Sequence, residues 1–526
     1  MQNIYLLHQG VEKAAEETPT HPAVRFNQEE QTYQQLNTLK NQLAHALISC
    51  GVKRGDRVGI FMYKNINSAA ALYGIMSAGA AYVPLDPFAP LPRLAYVIQN
   101  CSINVLITHE KKSQDIAELI QLTGVQHIIG LEDNPVDDVH TIPLAKLDQF
   151  PANPPNLMLT EQDMAYILYT SGSTGMPKGI VHTHRSGLSF ALWAAETYQL
   201  TSQDRLSNHA PLHFDLSTFD FFAASQVGAT TCIIPEGVTK FPASMAKWIQ
   251  DERISVWYSV PFALIQMLQR ANLPTKDYSA LRWILFAGEP FPTKHLRDVM
   301  KILPGVKFSN LYGPTETNVC TYYHVPLIPE DQDDPISIGI ACENVEDLVV
   351  DENSQPVPQG TVGELLIRGG VVMRGYWARP DLTERGFYRR PVTEQFEDTF
   401  YRTGDLVQKL EDGNYRFLGR KDRQIKTRGY RVELDEIETA LLAHEMVEEA
   451  AVYPVPDGEG SNLIEAAVIP KTDLLVTAVM LYEVLALKLP PYALPSQIHL
   501  RADFPRTSTG KINRRELQEM AANKET

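Results

Sequence analysis

The chain has 526 residues, with 47 Lys and Arg against 63 Asp and Glu, giving a net charge of −16 at pH 7. Its 44% hydrophobic, 21% charged and 9% aromatic residues are those of a folded globular protein with room for roughly three to four compact units. So acidic a surface, with no run of five or more Lys/Arg, excludes nucleic acid and anionic membranes as main partners, and any phosphate must be held by a small dedicated site.

From the N-terminus, Leu36, Leu39, Leu43 and Leu47 recur at helical spacing, and Gly51 supplies a stop. Short apolar runs at 57–62, 103–108, 127–131, 230–235, 254–260 and 281–288 read as buried strands. Helical segments at 240–251 and 293–302 lie between them, which predicts largely parallel sheets covered on both faces. The uncharged stretch Asn65 to Leu85 is long enough to span a bilayer. It splits into a helix-like half and the strand-like AAYVPL, and reads as core. The first residues lack a basic, apolar leader pattern, so a soluble cytoplasmic protein is expected. The five cysteines form no CxxC pair and propose neither a disulfide framework nor a zinc site.

After about residue 320, runs broken by Gly and Asp, at 348–369 and 407–419, predict antiparallel hairpins. Beyond Arg420 a polar segment leads to a helix at 435–445, strands at 447–454 and 463–469, and a helix at 476–488. The expected division is a large domain over 1–420 and a small α+β domain over 421–526, with the boundary near Asp422.

The strongest chemical signal is Tyr169-Thr170-Ser171-Gly172-Ser173-Thr174-Gly175-Met176-Pro177-Lys178-Gly179. A strand runs into a loop dense in Gly, Ser and Thr that ends in a Lys. Backbone N–H groups, hydroxyls and one mobile cation together make a phosphate cradle. Pro177 stands where a P-loop needs its second glycine, so this is a different cradle. A shorter loop of this kind would read as a surface turn.

This signature resembles that of the adenylate-forming superfamily: acyl-CoA synthetases, luciferases and the adenylation domains of nonribosomal peptide synthetases. Seven further motifs follow the family's order: AGAAYVPLDP (78–87), HFDLS (213–217), NLYGPTE (310–316), GELLIRGGVVMRGYW (363–377), YRTGDL (401–406), GRKDRQIKTRGYRVELDEIE (419–438) and TSTGKINRREL (507–517). Several of these forms resemble the amino-acid-activating branch. Met373, Asp435 and Asn513 depart mildly from the family's usual residues without removing a catalytic charge.

The resemblance implies an α/β fold: a large N-terminal domain of parallel-rich sheets with helices and a small β-barrel subdomain, and a mobile C-terminal α+β domain. It implies ATP and Mg²⁺. Thr170 to Gly175, with Gly288, Glu289, Asn310, Tyr312, Gly313, Asp405 and Arg420, would bind the nucleotide. Tyr312 would stack on adenine, Asn310 would meet its edge, and Asp405 would take the ribose hydroxyls. Thr315 and Lys178 would attend the phosphates, Glu316 would hold the metal, and Lys511 would neutralise charge where a carboxylate attacks the α-phosphorus. Asp422 would be the hinge, and the basic cluster 420–431 would border the nucleotide.

Asp215 implies an amino acid, since a carboxylate there pairs with an α-ammonium. Phe214, Leu216, Phe219, Tyr258, Leu285, Ala287, Leu311, Val319 and Cys320 would complete a compact apolar pocket. The set resembles that of free-standing L-proline-activating enzymes, with valine or another small apolar amino acid next in order and an acyl-CoA ligase as the other class. No Gly-Gly-x-Ser attachment site and no His-His-x-x-x-Asp motif occurs. The expected partner is therefore a separate peptidyl carrier protein with a phosphopantetheine arm, within secondary-metabolite biosynthesis.

Overall fold

The computed structural model describes residues 4–172, 175–458, 461–471, 476–507 and 511–522. Two large sheets form the body. An eight-stranded sheet runs Gly375–Tyr376, Lys178–Thr183, Met164–Thr170, Ala81–Pro84, Arg57–Phe61, Val105–Thr108, His127–Ile129, His140–Ile142. It is parallel from Met164–Thr170 outward to His140–Ile142. A nine-stranded sheet is parallel through Pro22–Phe26, Thr230–Ile233, Arg205–Asn208, Val256–Ser259, Trp283–Ala287 and Lys307–Tyr312. Antiparallel strands close both its edges. Apart from the half-buried Arg57, the central strands are buried along their length, which is why they read as largely apolar runs.

Leu36, Leu43 and Leu47 face the core from the helix Tyr33–Ser49, which opens on a capping box between Thr32 and Gln35. The uncharged 65–85 stretch divides into the fully buried helix Ser68–Ser77 and the strand Ala81–Pro84. No helix among the described residues is long and apolar enough to cross a membrane.

Residues 345–420 form an open five-stranded sheet, not the small barrel expected. The long strand Phe396–Lys409 carries Val362–Gly369 on one edge. On its other edge it carries Phe387–Thr393 and Tyr415–Arg420 one after the other. Val345–Val350 pairs with Val362–Gly369 alone among the described strands. No pairing among the described strands joins Val345–Val350 to Phe387–Thr393 or Tyr415–Arg420, so the sheet does not close on itself.

Past Arg420 come the hairpin Gln424–Thr427 and Tyr430–Glu433, the helix Leu434–Leu442, and a three-stranded sheet of Val447–Pro456, Asn462–Pro470 and Gln497–Leu500. The helices Ala478–Ala486 and Arg514–Ala522 complete this unit. The hairpin was not legible as an element, because its residues are polar and its shape comes from its turn. Arg428 and Gly429 both have positive φ, 50° and 82°, as the two centre residues of a tight hairpin turn require.

Candidate active site

One cavity gathers residues from five motifs. Thr170, Ser171, Phe214, Asp215, Leu216, Tyr258, Ala287, Gly288, Tyr312, Gly313, Thr315, Val319, Asp405 and Arg420 all line it. The chain meets there because the strands Met164–Thr170, Val256–Ser259, Trp283–Ala287 and Lys307–Tyr312 all end at this place. At Gly313 the turn is so tight that a Cβ would sit 1.7 Å from the Asn318 carbonyl oxygen. Phe219, Leu285, Leu311 and Cys320 stand behind the lining as buried core.

Two polar centres face the cavity. At the first, the Tyr312 hydroxyl donates to Asp405, whose other oxygen accepts from Arg420 at 2.7 Å. Arg420 also holds Asp422 at 2.6 Å. A carboxylate fixed between a phenol and a guanidinium suits a vicinal diol. At the second, burial raises the Asp215 pKa, while the Thr315 hydroxyl and the cations Lys426 and Arg431 work against it. A desolvated carboxylate facing a cavity attracts a cation.

Below the cavity lies Glu316, fully buried. It accepts from Tyr376 at 2.8 Å and pairs with Lys178 at 3.4 Å and Arg431 at 2.6 Å. Burial would raise its pKa, but Arg431 and Lys178 outweigh burial and hold it far below the usual carboxylate range. Both oxygens are engaged, so in this arrangement Glu316 does not fit a Mg²⁺ ion.

Arg431 comes from the 424–433 hairpin, which reaches into the site. Ser171 donates its hydroxyl to the Arg431 carbonyl at 3.0 Å and accepts from the Glu433 N–H at 3.2 Å. Gly429 N–H donates to Glu289 at 3.0 Å, and Glu289 also accepts from Phe262 N–H. Val260 lies so close to Gly429 that a Cβ would approach it to 2.3 Å. Tyr430 stacks on Tyr492 at 4.1 Å and meets the edge of Phe214 at 5.0 Å. With the hairpin seated, the free volume is about 90 Å³, well short of the several hundred Å³ of ordinary ligand pockets.

Some expected nucleotide residues do other work here. Glu289 anchors the hairpin tip, Asn310 donates to the Ser337 carbonyl at 2.8 Å, and Gly172 and Gly175 pack by the helix Leu434–Leu442. Ser173 and Thr174 lie outside the described residues. Lys511 is exposed and trades backbone and hydroxyl contacts with Thr507, away from the cavity. Conversely, His213, Asn318, Gln424, Gly429 and Tyr492 line the cavity without having been singled out, and Lys426 and Arg431 of the basic cluster 420–431 line it too. The basic run 420–431 was the available signal for Lys426 and Arg431. Tyr492 gave none.

His182 braces the 313–316 turn, bonding the Thr315 carbonyl at 2.8 Å and stacking on Tyr166 at 4.8 Å. Burial lowers the pKa of His182, and of His184 beside it, to about 4. An unfolded histidine takes its proton near pH 6.5, so this stability is complete above that pH and is lost as pH falls toward 4. Acidifying from pH 7 to 5 is expected to cost about 2 kcal/mol for each of the two. Equal urea midpoints at the two pH values would contradict this.

The sequence profile of the AMP-binding enzyme family matches residues 11–377, and that of the AMP-binding enzyme C-terminal domain matches residues 436–511. An L-proline--[L-prolyl-carrier protein] ligase of Pseudomonas fluorescens is 35% identical over 511 residues, covering 97% of this chain and 98% of its own length. One of the same name from Streptomyces coelicolor is 36% identical, covering 92% of this chain and 91% of its own. Among solved structures, the Vibrio cholerae adenylation domain AlmE in complex with glycyl-adenosine-5'-phosphate aligns with a TM-score of 0.84 at 24% identity, over 99% of each chain.

Proposed function

The chain belongs to the AMP-binding enzyme family, and from that premise we propose that it activates L-proline and loads it onto the phosphopantetheine thiol of a separate peptidyl carrier protein. It is a ligase of the ATP-using, adenylate-forming kind. The observation that carries the substrate reading is Asp215, a desolvated carboxylate set among Leu216, Tyr258, Ala287 and Val319. That wall offers one counter-charge for an α-ammonium and apolar surface for a compact side chain. The names of two relatives matched over almost their full length support proline.

In the first half-reaction an oxygen of the amino-acid carboxylate attacks the α-phosphorus of ATP, and pyrophosphate leaves. Asp405, fixed by Tyr312 and Arg420, takes the ribose hydroxyls, and the Tyr312 ring stacks on adenine. Lys178, Thr315 and Lys511 meet phosphate charge, Lys511 after the small domain turns about Asp422. The work is positioning and charge neutralisation. In the second, a carrier thiol loses its proton, sulfur attacks the acyl carbon, and AMP leaves. The seated hairpin suits this step. A cleft of about 840 Å³ lies between the domains, and His213 and Tyr492 border both it and the cavity. It offers the arm a way in. Ser496→Trp at its rim is expected to slow thioester formation and leave ATP–pyrophosphate exchange unchanged.

The decisive experiment is ATP–pyrophosphate exchange across the twenty amino acids. Proline is expected to give the highest kcat/KM. Apolar walls discriminate a methylene by only ~1–3 kcal/mol, so valine and small cyclic analogues are expected to leak through. A different leading amino acid would move the substrate, and silence from all twenty would refute the reading. Thioester formed with free coenzyme A but with no carrier would point to an acyl-CoA ligase instead. The cytoplasm and a secondary-metabolite pathway are the setting this function proposes.

A further inference from the structure

We infer that Cys50, His127 and His140 form a binding site for one zinc ion, separate from the active site. Cys50 directly follows the helix Tyr33–Ser49, while His127 and His140 open two neighbouring parallel strands and face each other in register. The two rings lie 5.6 Å apart at 68°. The three ligand atoms, one sulfur and two nitrogens, all fall within 4.8 Å of one another. Around a tetrahedral zinc, bond lengths of about 2.0–2.3 Å place neighbouring donors about 3.3–3.7 Å apart. Small side-chain rotations cover that difference.

The backbone is already set. His127 N–H donates to the Asn104 carbonyl at 3.1 Å and His140 N–H to the Gln126 carbonyl at 3.0 Å. An independent sign comes from His127, whose Nδ1 is buried without a hydrogen-bond partner among the described residues. A buried lone pair with nothing to accept is costly, and a metal ion satisfies it.

The donor set chooses the ion. One thiolate and two imidazoles suit a borderline-soft ion, whereas Mg²⁺ and Ca²⁺ require oxygen ligands. His140 is exposed, which leaves the fourth position open to water. Cys50 is the one cysteine that is only half-buried, the other four being buried. The strand His140–Ile142 is the outer edge of the eight-stranded sheet, and His127–Ile129 lies four strands from Met164–Thr170. That is about 19 Å at ordinary strand spacing, so the ion takes no part in acyl transfer. It ties a helix end to a sheet edge.

The test uses the whole protein, stripped of metal and titrated with Zn²⁺ against a chromophoric chelator, then with Co²⁺ as a spectroscopic probe. One equivalent per chain is expected, with a thiolate-to-cobalt band in the near ultraviolet. Cys50→Ser should abolish that band, and the double variant H127A/H140A should abolish binding. Both variants should keep the parent's amino-acid-dependent exchange. A second reading is independent of variant folding: Zn²⁺ should slow alkylation of Cys50 in the parent protein. Substoichiometric binding, a cobalt spectrum without the thiolate band, or unprotected Cys50 would each overturn the site.

Discussion

Replacing Asp215 by Ala is expected to raise the KM for proline by about 10²–10⁴-fold, with the KM for ATP little changed. The carboxylate is desolvated, and Leu216, Tyr258 and Val319 supply apolar surface to the same cavity. In the variant an α-ammonium would enter that cavity without a counter-charge. Removing one partner of a buried pair costs about 3–5 kcal/mol, which sets the size of the effect. Asp215→Asn keeps the volume and should lose nearly as much, because an amide supplies no charge. Burial raises the Asp215 pKa, so the parent's KM for proline should rise as pH falls through that raised value. The profile should flatten in Asp215→Asn. Proline saturation unchanged in either variant would remove Asp215 from the substrate site.

The second large effect is expected from Lys511→Ala. ATP–pyrophosphate exchange should fall by about 10²–10³-fold, the cost of deleting one donor aimed at developing charge. Transfer from supplied prolyl-adenylate to the carrier thiol should persist, because the hairpin that shapes the site in the arrangement described does not include Lys511. The side chain is exposed, so stability should hold, and equal urea midpoints for parent and variant would separate chemistry from folding. Normal exchange in Lys511→Ala would refute its role.

The body of the fold was legible because its strands are buried on both faces, so Val256–Ser259 and Trp283–Ala287 read directly as apolar runs. Most of the cavity wall was legible through motif resemblance, residue by residue. What escaped depended on tertiary placement. The 424–433 hairpin is polar in sequence and takes its position from Glu289, Ser171 and Glu316, all far away in the chain. Tyr492 joins the wall by stacking on Tyr430, a contact no local pattern encodes. The expected small barrel fell to a count of edges: two strands share one side of Phe396–Lys409. Cys50, His127 and His140 escaped the spacing rules for zinc because a helix end and two parallel strands bring them together.

The seated hairpin also sets a thermodynamic tax on the first half-reaction. The seated hairpin sets Arg431 on Glu316 and leaves about 90 Å³ free, so ATP, with its β- and γ-phosphates still attached, binds the fraction of molecules whose hairpin has withdrawn. If that fraction is about 1%, the apparent Kd for ATP rises about 100-fold above its intrinsic value. Each ~1.4 kcal/mol added to the Arg431–Glu316 contact costs a further tenfold, and loosening it returns the same factor. The grip that readies the molecule to pass on its acyl group is thus also its own competitive inhibitor, one that no dilution removes.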